Sequence, residues 1–247
     1  MIKLVGILNV TPDSFSDGGQ FLEPGAATAQ ARQLFEAGAD LIDVGAESTR
    51  PNATPLSDEE EWLRLEPVLK VLIPAYPGKI SLDSYHPATF HKAFAIGPVI
   101  MNDVTGFNDP AMVAVAAKYK PTVIVSHLPD MPLQEAHSMA PVDSVETVKN
   151  NLLNTAQLLR SKGLAQQQII LDPGIGFGKT MELNAELLKF AEQVPSYAVM
   201  IGYSRKRFLG EQRMDLEPNL EAGRMAIDHG ATYLRVHDVA GHSRLKS

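Results

Sequence analysis

The sequence predicts a (β/α)8 TIM barrel with a truncated final helix, and three observations lead there. Eight short runs rich in β-branched residues alternate with seven stretches of helical period; the units are similar in length; and no linker, low-complexity break or edge-strand signal interrupts them. At 247 residues the chain suits one such domain over 1–247, since α/β barrels of about 250 residues fold as a unit. An open doubly wound sheet is the alternative architecture for the same alternation.

The expected strands are Lys3–Leu8, Leu41–Val44, Lys79–Leu82, Val99–Met101, Thr122–Val125, Ile169–Leu171, Ala198–Ile201 and Tyr233–Val236. Between the first two, Ala26–Ala37 reads as a helix stopped by Gly38. Ser57–Leu72 opens with Ser57 and Glu60 spaced as a capping box and puts Trp62, Leu65, Leu69 and Leu72 on one core-facing side. Pro87–Ile96 and Asp109–Tyr119 each begin with proline at or near the first helical position, where its missing N–H costs nothing. Ser144–Lys162 aligns Val145, Val148, Leu152, Ala156 and Leu159, and Met181–Glu192 and Glu217–His229 complete the set. After the eighth strand only Asp238–Ser247 remains, too short for a full closing helix; the barrel is left partly uncovered there, or a partner chain covers it.

Composition narrows the function classes. A net charge of −7 without a basic cluster argues against a nucleic-acid surface. The absence of cysteine removes disulfides, thiolate metal sites and thiol nucleophiles. Met1 leads straight into an apolar run without the charged lead and cleavage site of a secretory signal, and no apolar run nears membrane-spanning length. A cytoplasmic location is the expectation.

In a barrel of this type chemistry sits at the carboxyl ends of the strands. All eight expected ends carry polar or ionisable residues: Asn9, Glu47-Ser-Thr-Arg-Pro51, Asp83, Asn102-Asp103, Ser126-His127, Asp172, Ser204-Arg-Lys206, and Arg235 with His237. They fall into two chemical sets. Asp83, Asn102, Asp172 and Lys206 offer acceptors and donors suited to the edges of a flat, nitrogen-rich heterocycle. Arg50, Arg235 and His237, with Asn9 and Thr49, suit a phosphate-type anion. Arg235 and His237 stand two apart and so share a side of their strand.

The richest single stretch is Ile169 to Thr180, a buried-strand pattern surfacing at Asp172 and followed by Pro173 and the glycines 174, 176 and 178. Its Gly178-Lys179-Thr180 tail is not a nucleotide P-loop, because position 173, where that motif requires glycine, is proline. Plainer readings stand beside several residues. Lys179 reads as loop support, Trp62 as core packing and His127 as a core histidine; lone Asp residues after strands are often helix caps. The five-residue spacings His86/His91 and His237/His242 suit no common helical metal site.

Five motifs in order, Gly6-Ile-Leu-Asn-Val-Thr-Pro-Asp-Ser-Phe-Ser-Asp-Gly-Gly19, Glu47-Ser-Thr-Arg-Pro51, Leu171-Asp-Pro-Gly-Ile-Gly-Phe-Gly-Lys179, Ser204-Arg-Lys206 and Arg235-Val-His-Asp-Val239, resemble the dihydropteroate synthase family of folate biosynthesis. The resemblance implies a (β/α)8 barrel, commonly a homodimer and a sulfonamide target. It also implies condensation of 6-hydroxymethyl-7,8-dihydropterin diphosphate with para-aminobenzoate, assisted by Mg2+. Carried over by motif position, Asp83, Asn102, Asp172, Phe177 and Lys206 would hold the pterin. Asn9, Thr49, Arg50, Arg235 and His237 would hold the diphosphate, with Asn9 beside the metal. Phe15, Pro51, Lys206 and Arg207 would flank the aminobenzoate. The catalytic burden would fall on Lys206, Asp83 and Asp172. The family's two active-site loops correspond to 11–19 and 48–52. Departures from the family pattern are Ala46 and Asn52 in place of glycine, Ser126-His127-Leu128 in place of Met-His-Met, and Arg207 where some members carry serine. A pterin-binding methyltransferase shares the ring-pocket Asp and Asn but has no use for the diphosphate residues or Ser-Arg-Lys; a non-catalytic pterin-binding paralogue is the third reading.

Overall fold

A computed structural model of the chain describes residues 1–10, 24–47, 55–129, 142 and 144–246. Eight parallel strands close into a barrel in chain order: β1 Lys3–Asn9, β2 Leu41–Gly45, β3 Ile80–Asp83, β4 Ile100–Asp103, β5 Val123–Ser126, β6 Ile169–Asp172, β7 Ala198–Ile201 and β8 Tyr233–Val236. Closure pairs β1 with β8 from Lys3↔Tyr233 to Gly6↔Val236. The open-sheet alternative is thereby set aside.

β3, β4, β5 and β6 each end one or two residues beyond their apolar runs, at Asp83, Asp103, Ser126 and Asp172. The sequence pattern stops each strand at the last apolar residue, but the ladder keeps the polar residue as its final rung. Chemistry-bearing side chains therefore stand on strands, which hold position better than loops do.

Alternation along the strands separates two apolar layers. Val5, Leu41, Ile100, Ile124, Ile170 and Met200 form one small cluster. A much larger cluster, with Leu8, Val44, Leu82, Val125, Leu171 and Ile201, packs against the surrounding helices. The small cluster therefore fills the barrel interior. Two residues further along, on the same inward side, come Asp43, Asn102, Ser126, Asp172, Gly202 and, from Tyr233, Arg235. The interior is apolar low down and polar at the mouth.

The helices are α1 Pro24–Glu36, α2 Asp58–Ala75, α3 Pro87–Ile96, α4 Pro110–Tyr119, α5 Val145–Ser161, α6 Met181–Glu186, α7 Leu216–Asp228 and α8 Val239–His242. The capping box at Ser57 forms as its spacing predicts: Ser57 N donates to Glu60 Oε2 at 2.9 Å and Glu60 N to Ser57 Oγ at 3.3 Å. Leu65, Leu69 and Leu72 of α2 are fully buried; Trp62 is only half-buried, at the margin of the core under the Lys92 ammonium. The continuous helix expected over Met181–Glu192 divides: α6 ends at Glu186 and a 3-10 stretch, Leu187–Gln193, follows. Its buried Leu187 and Phe190 stand three apart, one turn of the tighter helix.

The closing helix is short, as expected: α8 is followed by a 3-10 turn, Ser243–Lys246. It still seals β1, because Gly6 lets Val239 approach where a Cβ would stand 3.1 Å from its methyl group. Lys246 Nζ then ties the tail down through Gly38 O at 3.0 Å and Asp40 Oδ2 at 2.8 Å. No helix among the described residues is long and apolar enough to cross a membrane.

Candidate active site

The centre of the barrel mouth is a charged network around Arg235. Its Nε donates to Asp43 Oδ2 at 2.6 Å and its Nη2 to Asp83 Oδ2 at 2.9 Å. Although burial alone would lower it, Asp43 and then Asp83 raise the guanidinium pKa, so the group is held charged. Asp83 is pushed up to about 7 by burial and by Asp43 beside it, against the pull of Arg235. Asp43 is fully enclosed and also accepts from Asn102 Nδ2 at 3.1 and 3.0 Å.

That last contact fixes the Asn102 amide: its NH2 must face the carboxylate. Asn102 Oδ1 is buried and has no hydrogen-bond partner among the described residues. A buried acceptor in that state costs stability unless something bound supplies the donor.

The second wall comes from β6 and β7. Asp172, 7% exposed, accepts from Gly174 N at 2.8 Å through Oδ1. Burial raises its pKa, opposed first by Lys206. Gly202 lies between Asp172 and Arg235: a Cβ there would stand 3.7 Å from Asp172 Oδ2 and 3.9 Å from Arg235 Cβ. The two residues thus stand close together at the barrel mouth.

Lys206 reaches back over the glycine-rich turn. Its Nζ donates to Ile175 O and lies 4.9 Å from the centre of the half-buried Phe177 ring. Burial pulls the ammonium pKa down to about 8, and Asp172 resists that pull. The turn itself is built by Lys179, whose buried Nζ donates to Gly174 O at 2.9 Å, Phe177 O at 2.8 Å and His127 O at 3.4 Å. The structural reading of Lys179 is the observed one. Gly174 at φ 64 makes the turn possible; a side chain there would run into the His127 carbonyl. Replacing Lys179 by methionine leaves those carbonyls short of a donor, and we expect a loss of about 1–3 kcal/mol in urea unfolding.

His237, just past β8, meets Ser204, with Nδ1 3.1 Å from Ser204 Oγ. The two sets read from the sequence are therefore not separate in space, since Arg235, assigned to the anion, is paired to Asp83 of the ring set. Arg207 is exposed and opens a 3-10 turn, Arg207–Leu209. Asn9 is the exposed last residue of β1. Phe15, Thr49, Arg50 and Pro51 lie outside the described residues.

Several supporting residues were not picked from the sequence. Asp43 sits inside an apolar run rather than at a strand end, and its odd polarity there, with its parity with Leu41, is what signals it. Buried Asn219 of α7 accepts from Arg205 N at 2.9 Å and donates to Arg213 O and Asp215 O, fixing a turn in which Arg205 takes φ 62. Asn184 Oδ1 accepts from Gly176 N at 2.7 Å. Asp103, by contrast, serves its own turn, accepting from Thr105 N, Thr105 Oγ1 and Phe107 N. His127 points outward, with Nε2 3.2 Å from Asn151 Nδ2, and burial pushes its pKa down to about 3, so it is neutral. The other histidines do not act in the noted pairs: His86 meets Asp58, His91 meets Tyr119, and His242 Nδ1 meets Asp238 O.

Comparison with known proteins agrees with this geometry. The dihydropteroate synthase of Clostridium beijerinckii is 36% identical over 251 residues, covering 98% of this chain and 90% of that protein. A probable bifunctional folylpolyglutamate synthase/dihydropteroate synthase of Haloferax volcanii is 38% identical over 242 residues, but this chain spans only 29% of its length. Among solved structures, Xanthomonas albilineans dihydropteroate synthase with 4-aminobenzoic acid superposes with a TM-score of 0.87 at 35% identity, covering 99% of this chain and 90% of that one. The same enzyme in complex with 7,8-dihydropteroate gives 0.85 at 33% identity, covering 98% of this chain and 90% of that one. A family model described as pterin binding enzyme matches residues 5–237, a span that runs from within the first strand to the histidine beyond the last and takes in every site position above, and the chain belongs to that family.

Proposed function

We propose that this protein is a dihydropteroate synthase: it condenses 6-hydroxymethyl-7,8-dihydropterin diphosphate with para-aminobenzoate to give 7,8-dihydropteroate and diphosphate. The observation that carries the reading is the buried, unpartnered Oδ1 of Asn102 at a mouth already lined by Asp83 and Asp172. Such acceptors call for a planar ligand rich in N–H groups, and a pterin supplies them. Relatives at about this identity carry the same activity in their names.

In this reading the C–O bond to the diphosphate breaks with its electron pair staying on oxygen. The exocyclic methylene carbon left behind carries positive charge that spreads into the pterin ring, which the Asp83 and Asp172 carboxylates stabilise. The neutral aromatic amine then donates its lone pair to form the C–N bond and sheds a proton. Arg235, His237, Thr49 and Arg50 serve the departing anion. Lys206 donates to the ring while its stem and Phe177 flank the reacting centre; Phe15, Pro51 and Arg207 flank the amine. No side chain acts as a nucleophile, in keeping with the absence of cysteine.

Mg2+ belongs to the same proposal. Asn9 offers one neutral amide oxygen, and no cluster of three His, Cys, Asp or Glu able to hold a metal occurs among the described residues. That sparse donor set fits a hard ion that keeps waters and takes its remaining oxygens from a substrate phosphate. When bound, it would offset charge on the leaving group. A cytoplasmic homodimer is also part of this reading. The 41% exposed Met225 on α7 supports a second copy against that face, and sedimentation checks it.

The pH dependence follows from Lys206. Its ammonium, lowered to about 8, is charged below that value and loses its proton above it. Activity that needs the donor is therefore present at neutral pH, and kcat/KM is expected to decline as pH rises through about 8. The residual activity of Lys206→Met should lack that limb. The function itself is tested by mixing protein, pterin diphosphate, para-aminobenzoate and Mg2+ and following dihydropteroate by mass spectrometry, with amine and metal omitted in turn. Product only in the complete mixture is expected; pterin binding without product would overturn the synthase reading in favour of a non-catalytic paralogue.

A further inference from the structure

Lys206 acts from a short turn that its own residues do not hold alone. Arg205, just before it, has φ 62, in the left-handed region that residues other than glycine enter at a cost. Lys206 N donates to Tyr203 O at 3.1 Å and Ser204 Oγ meets His237, so residues 203–206 bend tightly off the end of β7. The Arg205 N–H is taken by α7, where Asn219 Oδ1 accepts it at 2.9 Å.

Asn219 is an odd residue for its place. It lies early in α7 and is 3% exposed, where helix propensity and packing both favour an apolar side chain. A buried amide costs stability unless its atoms are paired. Here Nδ2 donates to Arg213 O at 2.8 Å and to Asp215 O at 2.7 Å, which ties down the chain leading into α7. The helix start is served by those two bonds; the third, from Arg205 N, serves the Lys206 turn. One helical turn on, the same face of α7 receives the fully buried Tyr203 at Gly223, where a Cβ would collide with the phenol oxygen. The face therefore grips the segment on both sides of Ser204.

At the other end of its four-carbon stem, Lys206 Nζ has to meet Ile175 O, stand over Phe177 and stay within the field of Asp172 together. Rotation of the backbone at Arg205 would carry the ammonium away from all three. We propose that Asn219 is a positioning residue for Lys206: by accepting from Arg205 N it holds the left-handed turn that aims the ammonium at the ring pocket, so that α7 sets the grip on the pterin. The proposal rests on the synthase reading above.

Asn219→Leu, close in size but without a polar atom, and Asn219→Asp, which keeps an acceptor for Arg205 N while its carboxylate has no proton for the two carbonyls, test it in the full chain. The measurements are kcat/KM for the pterin diphosphate across pH, calorimetric affinity for 6-hydroxymethylpterin, and the thermal midpoint, with assays run well below that midpoint. Asn219→Leu is expected to lower kcat/KM and pterin affinity about tenfold, the order of a lost hydrogen bond to a charged group. It should also move the alkaline limb away from about 8, because the ammonium is no longer confined among Asp172, Arg235 and Asp83. In a Lys206→Met background the same substitution should cost less than about twofold, since the group it positions is gone. Asn219→Asp should keep most of the wild-type kcat/KM even though its thermal midpoint falls.

A merely structural Asn219 would lower the midpoint, leave the limb at about 8 and cost as much activity with Lys206→Met as without it; that result overturns the proposal. So does Asn219→Asp losing as much activity as Asn219→Leu. Should Asn219→Leu fail to fold, Asn219→Ser, whose oxygen sits one bond further from Arg205 N, is read in its place. Failure of the synthase reading shows separately, as wild-type protein that makes no dihydropteroate.

Discussion

Lys206→Ala and Asp172→Asn are each expected to lower kcat/KM at least about tenfold, and up to roughly 150-fold. The span corresponds to the 1.5–3 kcal/mol of a hydrogen bond to a charged group. The two side chains act on each other as well as on substrate: Asp172 opposes the loss of the Lys206 proton, and Lys206 opposes the rise in the Asp172 pKa. Removing Lys206 also frees the Ile175 carbonyl and uncovers Phe177. Its effect should therefore exceed that of a lysine touching substrate alone. Because ring binding and charge stabilisation are both affected, KM for the pterin diphosphate should rise as kcat falls. Wild-type turnover in either variant would refute the role assigned to it.

Asp43→Ala should cost about 3 kcal/mol of unfolding free energy, the low end for breaking a buried ion pair by removing one partner. Asp43 accepts from both Arg235 and Asn102. Without it the guanidinium keeps, among the described residues, its ion pair with Asp83, and the Asn102 amide loses the contact that orients its NH2. A fall of roughly 6–12 °C in thermal midpoint follows for a protein of this size, with weakened pterin affinity. If Asp43→Ala unfolds like wild type and binds pterin as tightly, the network does not organise the mouth. Asp43→Asn, which keeps an acceptor of the same shape, should recover part of the stability and separate loss of charge from loss of packing.

Much of this arrangement was legible in the sequence because run length and helical period do most of the work. Short β-branched runs placed the strands, and helical spacing with the turn and cap residues Gly38, Ser57, Pro87 and Pro110 placed the helices. The strand ends then named Asp83, Asn102, Asp172, Lys206 and Arg235 as neighbours before any coordinates did. What stayed hidden has physical reasons. Asp43 lies one rung below the mouth, where a rule that looks only at strand ends passes over it, although its parity with Leu41 points it inward. The split of Met181–Glu192 turns on a change of helical pitch that amphipathic spacing blurs. Division of the site into a ring half and an anion half came from residue chemistry alone. Space does not respect it, because the guanidinium of Arg235 needs counter-charge at the barrel mouth and both Asp43 and Asp83 supply it. Asn184 and Asn219 act through backbone atoms of distant turns, a relation that side-chain type does not encode.

The most direct test is a crystal structure with 7,8-dihydropteroate bound. The account predicts the bicycle at the barrel mouth, with one edge donating to Asn102 Oδ1 and Asp83, the other reaching Asp172 and Lys206, and the aminobenzoate end directed past Phe177 toward solvent. A pterin ring bound elsewhere, or seated there with Asn102 Oδ1 still lacking a donor, would contradict it.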